Sequence, residues 1–312
     1  MQSFPHLLAL TAPLFLLVLL GFGLMRWLCW PPVVSDALTR FVFSVAVPAL
    51  LFRMMSGFSR LPPVDARLLI AYFGGCIIVF TAGRLIAYGL FRMDGAAQSV
   101  VAVGGVFSNT VLLGVPLAQV LLGESAMPTI SLVVIFNALI LWTLVTASVE
   151  WARQSELSGS ALVKTAMDVV TNPIVGSILI GTTWGYTGFA LPAIVDRTLE
   201  LVALAAAPLS LIVLGMGLAE FHVRDGWRAS VAVAVLKLVA LPIVVLGLAR
   251  VLALPPLETQ SVVMLAALPI GANVYLMAKQ FATQEGTIAA SLVISTALAA
   301  VTTPLLIALA AG

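Results

Sequence analysis

Charged residues are scarce in this chain, and their scarcity excludes most kinds of soluble protein. Asp, Glu, Lys and Arg together make up 9% of the 312 residues, whereas hydrophobic residues make up 62%. A typical soluble domain has about 25% charged residues. The net charge of +2 is spread along the chain without a run of like charges, so the sequence predicts no nucleic-acid partner. The chain is therefore expected to lie almost entirely in a membrane, in contact with lipid.

Cysteine and histidine are also rare, which argues against metal sites and enzyme chemistry. Cys29 and Cys76 show neither the spacing of metal ligands nor a disulfide framework. His6 and His222 lie near the ends of apolar stretches, and no G-x-S-x-G, H-E-x-x-H or P-loop pattern occurs. We therefore expect no metal, no cofactor and no catalytic residue.

Long apolar runs fill the chain instead. A hydrocarbon core about 30 Å thick requires about 20 apolar residues of helix. The first run lacks a basic leader and a small-residue cleavage site, and is predicted to be a retained span. The sequence predicts ten transmembrane spans, at residues 7–25, 37–55, 68–91, 97–121, 129–149, 166–187, 197–219, 226–250, 258–281 and 286–310.

The two halves of the chain, residues 1–150 and 166–312, share residues at a nearly constant offset, and a polar cytoplasmic linker at 151–165 is predicted to join them. The matching pairs are Thr11 and Thr171, Pro13 and Pro173, Gly21 and Gly181, Pro48 and Pro208, all 160 residues apart, and the Gln-Ser-Val-Val segments at 98–101 and 260–263, 162 residues apart. Since five is an odd number of spans, a repeat of five inverts the second half in the membrane, as in many secondary transporters.

Basic residues in the short loops predict the orientation. With the N-terminus outside, eight Lys and Arg residues fall on the cytoplasmic side and five on the other side. This bias predicts that both termini lie outside, in a bacterial inner membrane.

The fourth and ninth predicted spans carry residues that break helices near their middle. Paired interruptions in the two halves of a chain indicate the binding site of a secondary transporter. Freed backbone N–H groups at such breaks favour anions. The alternative is that these are ordinary proline kinks. The candidate substrate-binding residues are Ser108, Asn109, Thr110, Gly114 and Pro116 in the fourth span, Pro269, Gly271, Asn273 and Lys279 in the ninth, and Lys237 in the eighth.

Ionisable residues within the predicted spans are few. Every Asp and Glu falls in a loop or at a span end, so no carboxylate for coupling protons or sodium is evident. Lys237 lies in the middle of a span, and three interpretations are open. Its side chain is neutral, it bonds freed backbone carbonyls, or it pairs with the negative charge of a substrate. Lys279 is more consistent with a cytoplasmic helix end, and Arg84 with a side chain that reaches the interface. Asn137 either bonds across to a neighbouring helix, which we favour, or faces the site.

The two broken segments, at 107–116 and 267–281, resemble the auxin efflux carrier (PIN-like) family, and the short central linker resembles its bacterial, malonate-transporter-like branch. This resemblance implies an NhaA-like or bile-acid-symporter-like fold with crossed fourth and ninth spans. It also implies a scaffold of spans one, two, six and seven, a mobile transport unit of spans three to five and eight to ten, and a homodimer. The site would centre on Asn109, Pro116, Pro269 and Asn273, and the substrates would be small carboxylates such as malonate or auxin.

These observations predict a secondary transporter that moves a small organic anion by alternating access, with a coupled proton or sodium ion if it works in uptake. An anion channel, a membrane ligand sensor and an intramembrane enzyme are the competing hypotheses. Conductance would indicate a channel, and ligand binding without flux would indicate a sensor.

Overall fold

The computed structural model describes residues 4–57, 65–153, 173–220 and 227–310. Within these ranges the chain forms helices and no strand, which confirms the predicted all-α architecture there. Most of the predicted linker at 151–165 lies outside the described residues. The helices are α1 (Phe4–Arg26), α2 (Pro32–Ser56), α3 (Arg67–Gly89), α4 (Gly95–Gly104), α5 (Thr110–Leu121), α6 (Glu124–Ala152), α7 (Pro173–Tyr186), α8 (Ala193–Glu220), α9 (Trp227–Val251), α10 (Pro256–Ala266), α11 (Asn273–Gln280) and α12 (Glu285–Ala310).

Six of these helices are long and apolar enough to cross a membrane on their own: α2, α3, α6, α8, α9 and α12. The fourth predicted span is divided into α4 and α5, and the ninth into α10 and α11. The chain is therefore a multi-pass membrane protein with interrupted helices among its long ones.

Large apolar side chains cover the outside of the helix bundle. Along α3, Ile70, Ile77 and Leu85 are 62%, 50% and 66% exposed. Their spacing of seven and eight residues places them on one face of the helix. Such a face is costly in water but suits contact with lipid chains.

Among the described helices, three contain a π-helical turn that ends two residues before a proline. The turns are Val42–Ala46 in α2, Thr110–Gly114 in α5 and Leu236–Ala240 in α9, which precede Pro48, Pro116 and Pro242. Proline lacks an N–H donor, and its ring clashes with the carbonyl four residues earlier. The wider π turn accommodates that carbonyl without ending the helix.

Glycines allow two pairs of helices to approach closely. In the contact of α1 with α8, a Cβ on Gly21 would lie 1.9 Å from Ile212 O, and one on Gly215 would lie 1.8 Å from Val18 O. In the contact of α2 with α7, a Cβ on Gly181 would lie 2.7 Å from Phe52 O. No side chain fits at these distances, so the backbones pack directly on one another.

The helices pack in two groups. In the first group α1 packs along α8 and α2 along α7, while α8 also contacts α2. In the second group α3 packs on α4 and α9, α4 on α6, and α12 on α9 and α10. The groups meet along α5, which contacts α1, α8 and α6, and along α1, which also packs on α12.

Candidate functional site

The two interrupted helices meet at their breaks. Asn109 N donates to Pro269 O at 2.9 Å, and Gly271 N donates to Phe107 O at 2.9 Å. These two bonds form an isolated antiparallel β-bridge between the halves of the chain. We call this contact the crossing; its residues are 105–109 and 267–272.

Side chains satisfy further backbone groups at the crossing, as a buried break in a membrane requires. Lys237 Nζ donates to Ala266 O at 2.5 Å, Thr303 Oγ1 donates to Ala267 O at 2.8 Å, Ser295 Oγ accepts from Ile270 N at 3.2 Å, and Cys76 Sγ donates to Val106 O at 3.9 Å. The crossing is therefore held by hydrogen bonds from α3, α9 and α12.

Lys237 is fully buried and acts as a cap for α10. Its ammonium lies at the C-terminal end of that helix, where freed carbonyls and the helix dipole favour a cation. In the described part of the chain, no carboxylate lies within ion-pair distance of it. Of the three alternatives that the sequence left open, the structure shows a bond to a freed carbonyl.

A cavity of about 460 Å³ adjoins the crossing. It lies between the two groups of helices, with α2 and α7 on one side and the crossing, α5, α6 and α11 on the other. Its polar wall consists of Asp36, Thr39, Arg40, Ser108, Asn109, Thr110, Asn137 and Asn273, and apolar residues such as Phe43, Val134 and Leu276 complete it.

Five of the ten predicted site residues line this cavity: Ser108, Asn109, Thr110, Gly271 and Asn273. The structure does not place the other five, which are Gly114, Pro116, Pro269, Lys237 and Lys279, on the cavity wall.

These five residues take other positions. Gly114 N donates to Asn109 O at 3.0 Å, and Pro116 is buried in α5. Pro269 contributes its carbonyl to the β-bridge. Lys279 is exposed near the end of α11, with its ammonium 5.0 Å from the centre of the Tyr275 ring.

Two buried amides on the cavity wall make no side-chain hydrogen bond within the described residues. Asn109 is 5% exposed and its Nδ2 has no partner, while Asn137 is 2% exposed and its Oδ1 has none. An unsatisfied buried polar group costs about 1–3 kcal/mol, so an orphaned amide calls for an explanation. A ligand in the cavity that accepts a hydrogen bond from Asn109 Nδ2 provides one for Asn109, whereas Asn137 Oδ1 would need a donor.

Tyr72 fixes the polar wall from behind. Its hydroxyl donates to Ser108 Oγ at 3.1 Å, and its side chain is fully buried in α3. Ser108 therefore has a defined position beside Asn109.

Sequence reasoning missed two charged residues of the cavity. Asp36 and Arg40 lie one helical turn apart in α2 and line its wall. In the sequence, Arg40 counts only as one of the basic residues that predict orientation, and Asp36 only as one of the carboxylates in a loop or at a span end. The signal that would have found them is helical spacing, because Asp36, Arg40 and Phe43 recur on one face of α2.

Comparison with known proteins assigns this chain to a family. A family model described as "Membrane transport protein" matches residues 6–307. The chain belongs to this family. The predicted membership of the auxin efflux carrier family is thereby confirmed, and so is the prediction that the chain is a transporter and not an enzyme.

Two relatives of this family member cover most of its length. The "Putative malonate transporter" of Rhizobium meliloti (strain 1021) is 27% identical over 297 residues, which cover 94% of this chain and 92% of the relative. "Auxin efflux carrier component 8" of Arabidopsis thaliana is 22% identical, with 88% of this chain and 89% of the relative covered. Both similarities cover the crossing.

Proposed function

We propose that this family member is a secondary transporter that moves a small organic anion by alternating access, with the cavity at the crossing as its binding site. The observation that carries the proposal is the buried Asn109 amide, which lines the cavity without a hydrogen-bond partner among the described residues. An amide donor and the adjacent hydroxyls of Ser108 and Thr110 suit a carboxylate. The names of the two relatives support a carboxylate as the cargo.

The hydrogen bonds of the crossing support an inverted repeat. Bridge partners Ser108 and Ile270 are 162 residues apart, the same offset that relates the Gln-Ser-Val-Val segments. At this offset Phe107 corresponds to Pro269 and Asn109 to Gly271. The bond from Asn109 N to Pro269 O is therefore the image of the bond from Gly271 N to Phe107 O. A two-fold axis in the membrane plane would pass through the bridge.

The close helix contacts support the same symmetry. Gly21 and Gly181 correspond at the offset of 160 residues, and each allows close packing of its own helix, α1 on α8 and α7 on α2. We infer ten spans in two inverted halves, 1–150 and 166–312, with α4 and α5 forming one interrupted span and α10 and α11 another.

We assign the scaffold to α1, α2, α7 and α8, and the moving transport unit to the remaining helices. The position of the cavity between these two packing groups supports this division. Movement of one group past the other would expose the crossing first on one side and then on the other. Both termini outside a bacterial inner membrane would make the present opening, beside Asp36 and Arg40, cytoplasmic. A homodimer joined through the scaffold completes the proposal.

The membrane potential is a sufficient driving force for export of an anion. It is worth about 2.3 kcal/mol per elementary charge per 100 mV, and a negative cytoplasm repels the cargo outward. Uptake would require a coupled proton or sodium ion.

Transport of labelled malonate into proteoliposomes tests this function, with protein-free liposomes as the control. Potential, proton gradient and sodium gradient are imposed one at a time. We expect saturable uptake that an inside-positive potential accelerates. Flux that rises linearly with concentration and carries a conductance would instead indicate a channel, and saturable binding without flux a sensor.

A further inference from the structure

The cavity holds a positive charge that the crossing itself does not supply. Lys237 donates its hydrogen bond to Ala266 O, and Lys279 lies over the Tyr275 ring, away from the cavity wall. Among the described residues that line the cavity, Arg40 is the one cation. It makes no ion pair with a described carboxylate. An anion that enters the cavity therefore meets Arg40 as its counter-charge.

Asp36 lies one turn before Arg40 and offsets part of that charge. Its carboxylate is not within ion-pair distance of Arg40. A guanidinium has five N–H donors in a planar fork, so Arg40 can bond a ligand carboxylate with one edge while another faces Asp36. Two opposite charges at the mouth leave net attraction only for a ligand that bonds Arg40 directly.

Asn137 contributes a second free amide from α6. It is 2% exposed, lines the same cavity as Asn109, and has no hydrogen-bond partner among the described residues. A bond from Asn137 to a neighbouring helix was the favoured prediction, but the structure shows no such bond in the described part of the chain. Two buried amides without partners thus lie on one wall, and Arg40 lies on another, in α2.

Resting on the proposed function, we propose that Arg40 and Asn137 are substrate-binding residues which together select a short dicarboxylate. Arg40 pairs with one carboxylate near the mouth, and the Nδ2 groups of Asn109 and Asn137 donate to the other carboxylate beside the crossing. Arginine and carboxylate form parallel, charge-assisted hydrogen bonds. A monocarboxylate satisfies the amides and leaves Arg40 without a partner.

A binding experiment on the purified protein separates these roles. Labelled malonate is displaced by unlabelled malonate, by succinate, and by the methyl half-ester of malonate, which has a single charge. The variants are Arg40→Gln, Arg40→Lys, Asn137→Ala and the control Arg26→Gln. Arg26 is exposed at the end of α1 that leads into α2, and it does not line the cavity.

We expect the wild type to bind a diacid at least about 10-fold more tightly than the half-ester, as one charged hydrogen-bond pair implies. Arg40→Gln abolishes this preference by weakening the diacid alone, and Arg40→Lys retains part of it. Asn137→Ala weakens both ligands by a similar factor because both use the amides. Arg26→Gln leaves all affinities unchanged.

Three results overturn the inference. If Arg40→Gln weakens diacid and half-ester equally, or if Arg26→Gln has the same effect as Arg40→Gln, then Arg40 acts only through general surface charge and the proposed function stands. If the wild type binds neither diacid nor half-ester, the proposed carboxylate cargo falls together with this inference.

Discussion

At the scale of single residues, Asn109 combines two roles. Its backbone N–H completes the β-bridge, and its side-chain amide faces the cavity without a partner in the described residues. The first role depends on the main chain alone and survives substitution. The second role does not, so mutations at this position test ligand binding with little disturbance of the crossing.

We expect Asn109→Ala to weaken anion binding about 10-fold, the value of one hydrogen bond to a charged group. Asn109→Asp has nearly the same shape but places a negative charge beside the ligand, so we expect a larger loss. The measurement is displacement of labelled malonate from purified protein whose thermal unfolding matches the wild type. Equal affinity in both variants and the wild type would remove Asn109 from the site.

Lys237 yields a different expectation because it caps a helix. Lys237→Met fills a similar volume but leaves Ala266 O without its donor, at a cost of about 1–3 kcal/mol. We expect a lower melting temperature in detergent and an anion Kd within about twofold of the wild type. A Kd raised 10-fold at unchanged melting temperature would show instead that the ammonium reaches the ligand.

Sequence reasoning identified some residues of the cavity and missed others for a definable reason. Asn109 and Asn273 belong to segments that break helices, and such segments can be recognised from the sequence alone. Arg40 and Asn137 lie in unbroken helices, and only the packing of α2 and α6 against the crossing brings them to the cavity. Asn273 is exposed whereas Asn109 is buried, a difference that their similar sequence contexts do not reveal.

At the scale of helices, proline and glycine positions predicted the interruptions of the fourth and ninth spans. Pro48 also marks a distortion of α2, but the π-helical form of that distortion required the structure. Hydrogen-bond register depends on how neighbouring helices accommodate the displaced carbonyl, and sequence composition does not contain that information.

The direct contact between α1 and α8 gives a test at this scale. Gly215→Ala introduces a Cβ that would lie 1.8 Å from Val18 O, whereas a Cβ on Gly217 in the same helix has no neighbour within 4 Å. We expect Gly215→Ala to separate the helices and lower the yield of folded protein and its melting temperature.

Gly217→Ala is the matched control for this contact. It should leave stability unchanged or raise it by about 0.5–1 kcal/mol, since alanine is the better helix former. Similar melting temperatures for both variants would mean that the two backbones are not in direct contact.

At the scale of the whole molecule, the two ends of α2 differ. Asp36 and Arg40 at one end are exposed and line the cavity, whereas near the far end of α2 Arg53 Nε donates to Asp196 Oδ1 at 2.7 Å and ties α2 to α8. The division into a scaffold and a transport unit was predicted from the family resemblance and not from helical periodicity. Helical periodicity reveals which face of a helix is buried but not which helix covers it.

Thiol labelling tests the opening and the orientation together. In a Cys29→Ser background, we expect a membrane-impermeant maleimide to modify Thr39→Cys from the cytoplasmic side and Ser56→Cys, near the other end of α2, from the outside. Labelling in intact cells and in inside-out vesicles provides the measurement, and malonate should protect only the Thr39→Cys variant. The reverse pattern would invert the proposed topology.

The bridge between Asn109 and Pro269 also bears on how the protein is made. Neither interrupted segment can complete these backbone hydrogen bonds alone. The partners of Phe107 O and Asn109 N are Gly271 and Pro269, which leave the ribosome about 160 residues later. At about 5–20 residues per second, the first half is inserted many seconds before its partner arrives. During that interval its open peptide groups must be shielded from lipid. Completion of the crossing is thus a late step in biogenesis, and the insertion machinery, or water held beside it, must protect the unfinished half until then.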